Sequence, residues 1–129
     1  MPNKILVVDD EKHIRDSCIR LLQRKRYDVE GAASGIEALE KIGKEVYDLV
    51  LLDVRMPGMD GIEVLRRAKE IAPNILVLVL TGHGTADTAS EATELGAAGF
   101  IRKPISIEHL AERIDEALGK GGKAQDNPT

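Results

Sequence analysis

A chain of 129 residues, 43% apolar and 31% charged, is one domain's worth of protein, long enough for a single substantial core. Its formal net charge of −4 argues against bulk attraction to nucleic acid or anionic lipid. Its longest apolar runs are strand-sized, far short of the roughly 20 residues of a membrane span, and no basic-then-apolar leader precedes Ile5, so a cytoplasmic protein is expected.

Apolar strand-like runs alternate with helix-period segments five times, the pattern of an α/β fold built on a parallel sheet. The run Ile5 to Val8 predicts a strand over 4–8. Ile14, Cys18, Leu21 and Leu22 then mark the apolar stripe of a helix over 11–25. Cys18 is the only cysteine, so no intrachain disulfide or Cys/His metal motif exists, and its place in that stripe reads as a small buried apolar residue. A strand over 28–32 leads to a helix over 35–43 with Ile36, Leu39 and Ile42 inward; Ser34 and Glu37 have the spacing of a capping box. A strand over 47–53 precedes a helix over 61–71, capped by Asp60 with Glu63 and lined by Ile62, Leu65 and Ile71. The strand over 75–80 leads to a helix over 85–95 of a different kind. Its stripe is Ala86, Ala89 and Ala92, with Leu95 its only large aliphatic residue. Anchoring scales at roughly 25 cal/mol per Å² of apolar area buried, so this helix should be held less tightly and move more readily. A strand over 98–101 and a helix over 107–118, with Ser106 as cap and Ile107, Leu110, Ile114 and Leu118 inward, complete one domain over 1–118. Residues 119–129 have the composition of a flexible tail or linker stump.

Four expected strands end on polar groups: Asp9 and Asp10 after the first, Asp53 after the third, Thr81 after the fourth, Lys103 after the fifth. Ligands of open parallel sheets sit beyond the carboxyl ends of the strands. Converging acids repel and raise one another's pKa, which implies a hard divalent cation such as Mg²⁺, bound through carboxylates, water and phosphate oxygens. Lys103 and Thr81 add a cation and a hydroxyl suited to an anion beside that metal. Together they fit a phosphoryl group.

Val7-Val8-Asp9-Asp10-Glu11, Leu52-Asp53-Val54-Arg55-Met56-Pro57-Gly58-Met59-Asp60-Gly61, Leu80-Thr81-Gly82-His83-Gly84 and Lys103-Pro104 resemble, in order, the motifs of receiver domains of two-component response regulators. The resemblance covers about residues 4–118. It implies a flavodoxin-like, doubly wound five-stranded sheet of order 2-1-3-4-5 flanked by five helices. It implies a phosphoacceptor at Asp53, Mg²⁺ held by Asp10, by an Asp53 oxygen and by the backbone carbonyl of Arg55, with Asp9 acting mainly through water, and phosphoryl contacts from Thr81 and Lys103. The implied donor is the phosphohistidine of a sensor histidine kinase. The protein would be no enzyme beyond its own phosphotransfer and dephosphorylation. Thr81 and Phe100 would be the switch, and the face of helix four, strand five and helix five would meet a downstream protein or an effector domain, or pair in a phosphorylation-linked dimer; neither nucleic acid nor membrane is expected as a direct partner. Arg55 and His83 flank the site and would lengthen the lifetime of the phosphorylated form by obstructing water.

Other readings exist for each residue singly. Asp9 or Asp10 could cap the first helix, Asp53 and Thr81 could be turn residues, Lys103 could be solvated, and His13 and His83 could be exposed helix-start residues. A Mg²⁺ phosphatase with an aspartyl nucleophile would need an acid two residues after Asp53, where Arg55 stands. A flavin carrier would need aromatics, which are 2% of the chain. A phosphorylation-independent interaction module and a receiver fragment of a larger transcription activator remain open, the latter favoured by Leu80-Thr81-Gly82-His83-Gly84.

Overall fold

Alternating side chains along five short strands decide the architecture. The computed structural model describes residues 2–54, 60–82, 86–103 and 105–119. Its elements in chain order are β1 (Lys4–Val8), α1 (Lys12–Arg24), β2 (Asp28–Ala32), α2 (Gly35–Lys44), β3 (Leu49–Asp53), α3 (Gly61–Ile71), β4 (Leu76–Thr81), α4 (Ala86–Glu94), β5 (Gly99–Arg102) and α5 (Ile107–Ala117). The strands pair in parallel in the order β2-β1-β3-β4-β5. This is the flavodoxin-like doubly wound sheet, whose winding reverses between β1 and β3 and opens a crevice there.

Successive strand residues face opposite sides, so two cores form. Leu6, Val8, Val50, Leu52, Val77 and Val79 meet Ile42 of α2, Leu65 of α3 and Ala92 of α4. Ile5, Val7, Leu49, Leu51, Leu78 and Leu80 meet Cys18 and Leu22 of α1 and Leu110 and Ile114 of α5. Unbroken apolar runs such as Val50-Leu51-Leu52 suit strands covered on both faces.

The helix starts follow their caps. The Glu37 N–H donates to Ser34 Oγ at 3.1 Å while the Glu37 carboxylate accepts from the Ala33 N–H at 2.8 Å, one residue earlier than the capping box predicts. Asp60 accepts from the Ile62 N–H, and Glu63 turns to Arg66 and Arg67 instead of back to the cap. Ser106 accepts from the His109 N–H at 3.0 Å.

Two expectations need correction. Strand β3 begins at Leu49, not 47, because Tyr47 donates to Glu30 and the Asp48 carboxylate accepts from the Lys4 N–H. Ile36 and Ile71 are not inward: they are 60% and 48% exposed, while Ala38 and Ala68 are fully buried. A small side chain there lets a helix settle nearer the strands, and its large neighbours fall outside the contact. In α4 the expected stripe holds at Ala92, which is fully buried, and at half-buried Ala89 and Leu95. The helix packs on β5 and α3.

Candidate functional site

Register places the polar groups. Val8, Leu52, Val79 and Phe100 stand side by side across four strands. The next residues are Asp9, Asp53 and Leu80, the last two paired, and beyond them Thr81 pairs with Arg102. The Lys103 N–H donates to the Thr81 carbonyl at 2.8 Å, carrying β5 one step further. Alternation puts Asp9, Asp53 and Lys103 on the α1/α5 side, and Thr81 with Phe100 on the α4 side.

One carboxylate oxygen each from Asp9, Asp10 and Asp53 lie within 4.8 Å of one another. Asp9 and Asp53 are buried, and Asp10 is exposed. Lys103 Nζ donates to Asp53 Oδ2 at 3.3 Å. Thr81 is buried at the end of β4. The structure thus brings together Asp9, Asp10, Asp53 and Lys103, and places Thr81 one residue beyond Leu80, the partner of Asp53 on β4. Arg55, His83 and Pro104 lie outside the described residues. Phe100 is half-buried against the α4-side core.

The helix-cap reading is partly true of Asp9. Glu11 is the α1 N-cap and has no side-chain cap bond of its own, while its N–H donates to Asp9 Oδ1 at 2.9 Å. That accounts for one oxygen of one acid and leaves the convergence with Asp53 unexplained. His13 is exposed, and burial pushes the Cys18 thiol up, as expected of an inert core cysteine.

Burial pushes the Asp9 carboxyl up from its ordinary value. The charges of Asp53 and Asp10 push the same way, against the Glu11 N–H and the Lys103 ammonium, which hold it down. Three acids with the Lys103 ammonium beside them make an all-oxygen donor set whose excess negative charge a hard divalent ion would offset. Among the described residues, no soft or imidazole ligand belongs to the cluster. The residues therefore fit a divalent metal. A carboxyl that holds its proton more tightly folded than unfolded costs stability as pH rises through the window between its two values. Metal-free protein should gain stability as pH falls from neutrality to just above the ordinary carboxylate range. Below that it should lose stability, as carboxylates held low by partners, such as Glu63 at about 2, take up protons. Urea midpoints across that range in chelator check this; a midpoint that falls steadily from pH 7 would refute it.

A groove of about 560 Å³, lined by His13, Ile14, Ser17, Leu80, Ile105 and Lys103, opens between α1 and α5 beside these groups. A larger one, about 670 Å³, lies at the opposite end of the sheet by Tyr47 and Ile75, remote from the acids.

A family model described as the response regulator receiver domain matches residues 5–115. The chain belongs to this family. Sporulation initiation phosphotransferase F of Bacillus subtilis (strain 168) is 42% identical over 118 residues, 92% of this receiver and 95% of that protein. The transcriptional regulatory protein ZraR of Klebsiella oxytoca is 43% identical over 114 residues, 88% of this chain but 26% of that protein. The receiver thus spans about a quarter of that regulator's length. A response regulator protein from Burkholderia pseudomallei, in a crystal structure with a phosphorylated aspartic acid, a calcium ion and citrate, is 26% identical. Its TM-score is 0.82, with 98% of this chain and 76% of that one covered. Receivers are aspartyl-phosphorylated signalling domains, and that is the class of this chain.

Sequence reasoning missed Arg15, whose guanidinium reaches the Asp9 carbonyl. Nothing in its spacing distinguishes it from the other basic residues of α1.

Proposed function

We propose that this receiver takes a phosphoryl group from the phosphohistidine of a sensor histidine kinase onto Asp53, with Mg²⁺ bound beside it. The observation that carries the reading is the meeting of Asp9, Asp10 and Asp53 at one sheet end with Lys103 Nζ on Asp53 Oδ2. The calcium ion and phosphorylated aspartic acid of the Burkholderia pseudomallei protein support a divalent ion next to the acceptor. Asp10 and an Asp53 oxygen would hold the ion directly, with Asp9 through water; the Arg55 carbonyl is the further ligand the family resemblance implies. Bound there, Mg²⁺ neutralises charge on the phosphoryl oxygens and on the acids.

The chain's own residues do the rest. An Asp53 oxygen attacks phosphorus without a general base, because a carboxylate is already ionised. The O–P bond forms as the P–N bond to imidazole breaks, and catalysis consists of positioning and charge neutralisation. Lys103 then holds an equatorial oxygen instead of Asp53 Oδ2, and the Thr81 hydroxyl donates to another. The groove between α1 and α5, with Lys103 in its lining, offers a donor an approach to Asp53. Such a donor places the protein in the cytoplasm.

Phosphorylation adds about −1.5 to −2 charge and draws Thr81 toward Asp53. Phe100 shares the α4-side face and stands diagonal to Thr81 on the next strand, so it follows, and α4, anchored by small residues, moves with it. The α4, β5 and α5 face then meets a downstream protein, a second copy, or an effector domain of the kind that would account for the length of ZraR. Phe100→Ala should leave phosphorylation intact and weaken any phosphorylation-dependent contact on this face at least severalfold, measured by pulldown with and without a phosphodonor. Equal binding in both states by wild type would refute the switch.

The central reading is tested by incubating the protein with a small acyl phosphate and Mg²⁺ and recording intact mass. A phosphoryl adduct is expected with Mg²⁺ and not with chelator, and peptide mapping should put it on Asp53. An adduct elsewhere, or none, overturns the assignment.

A further inference from the structure

Arg15 lies in the second turn of α1, outside the acids, threonine and lysine of the site. Its Nη1 donates to the backbone carbonyl of Asp9 at 2.8 Å. Two other bonds fix the same residue: the Asp9 N–H donates to the Ala32 carbonyl at 3.1 Å, and Asp9 Oδ1 accepts from the Glu11 N–H at 2.9 Å. Asp9 is 3% exposed, so its carbonyl needs a protein donor. Asp9 is the residue at which β1 stops and the chain turns toward α1. The direction of its peptide group decides where both neighbouring carboxylates point.

The path of the Arg15 stem is also specified. A Cβ at Gly31 would lie 3.1 Å from Arg15 Cδ and 3.3 Å from Arg15 Cγ, with Ile19 Cδ1 at 2.9 Å. Gly31 is on β2, at the edge of the sheet next to β1 and paired with Val7. A bare backbone there lets the arginine lie flat across β2 and reach the carbonyl; any side chain would lift it.

We propose that Arg15, laid across Gly31, is a positioning residue for the metal-binding end of β1, fixing the Asp9 peptide so that the Asp9 and Asp10 carboxylates converge on Asp53. This rests on the reading of the three acids as a divalent-ion site. The action is geometric: the guanidinium bonds to the backbone carbonyl of Asp9.

Two substitutions separate geometry from charge. Arg15→Met keeps a stem over Gly31 and removes the donor and the charge. Gly31→Val keeps the guanidinium and displaces it. Calorimetric titration of Mg²⁺ into metal-free protein should show Kd raised about tenfold in both, the size of effect seen when partners that orient metal ligands are removed. The Arg15→Met loss should persist at about 0.5 M salt, where a through-space charge effect would be screened. Urea unfolding in chelator reports separately any general loss of stability. Unchanged Kd in Arg15→Met overturns the proposal, as does a loss that vanishes in high salt, and so does an unchanged Kd in folded Gly31→Val. Asp10→Asn is the control. If wild type takes up no Mg²⁺ the metal reading itself fails; if wild type binds, Asp10→Asn does not and Arg15→Met matches wild type, only the positioning role falls.

Discussion

Asp53→Asn should abolish the phosphoryl adduct while making the metal-free protein more stable. The first effect follows from chemistry, because an amide oxygen is a poor nucleophile toward phosphorus and no other acid of the cluster has Lys103 on it at 3.3 Å. The second follows from electrostatics. Asp53 is 5% exposed and faces two further carboxylates, so its charge is both desolvated and repelled. The compensating pair with Lys103 is partly open to solvent, the lysine side chain being 27% exposed. Screening limits such a pair to about 1 kcal/mol or less, and an asparagine Oδ1 can still accept from the ammonium. Removing one of three converging charges is expected to raise stability by about 1 kcal/mol in chelator. Excess Mg²⁺ should invert the ranking. An ion at about 100 times its Kd stabilises the protein that binds it by ~2.7 kcal/mol, and the variant, short of one ligand, gains less. Urea midpoints of both proteins, in chelator and in excess Mg²⁺, test this. The same order under both conditions would mean that the cluster is not a metal site.

The convergence of the three acids is why the candidate site is legible in the sequence. Acids that lower stability without a ligand have no structural reason to end two neighbouring strands, so Asp9, Asp10 and Asp53 stood out against a background of ordinary caps. The fold was readable for a related reason. Strands covered on both faces need unbroken apolar runs, and Ser34, Asp60 and Ser106 sit where the chain needs donors satisfied. What escaped depends on distances between elements rather than on periodicity. Helical spacing shows that Ile36, Leu39 and Ile42 share a side, but not that Ala38 is fully buried while Ile36 is 60% exposed. Tyr47 suits a strand and predicts that β3 starts two residues early, whereas its hydroxyl is held by Glu30 outside the ladder. Arg15 is one of several cations on α1, and only its bond to a backbone carbonyl sets it apart.

The other large effect is expected at Gly61, where even the smallest side chain has no room. A Cβ there would stand 2.3 Å from Val54 Cα, 2.8 Å from Val54 Cβ and 3.0 Å from the Val54 carbonyl carbon. Two of those three atoms are backbone and cannot swing aside like the end of a flexible side chain. The clash joins the first residue of α3 to the residue after Asp53, and the Gly61 N–H also donates to the Val54 carbonyl at 3.4 Å. Gly61→Ala must therefore move α3 away from the end of β3 or move Val54, and either route disturbs the placement of Asp53. Overpacking of this kind costs about 3 kcal/mol, a large share of the stability of a domain this size. Against it stands the gain in helix propensity, about 1 kcal/mol for alanine over glycine inside a helix and less at a first helical position. The expected outcome is a urea midpoint lowered by the equivalent of about 2 kcal/mol or more, with slower adduct formation on Asp53 in whatever protein remains folded. A variant as stable as wild type would mean that the β3–α3 connection yields easily, and that the close approach of Gly61 to Val54 does not hold Asp53 in place.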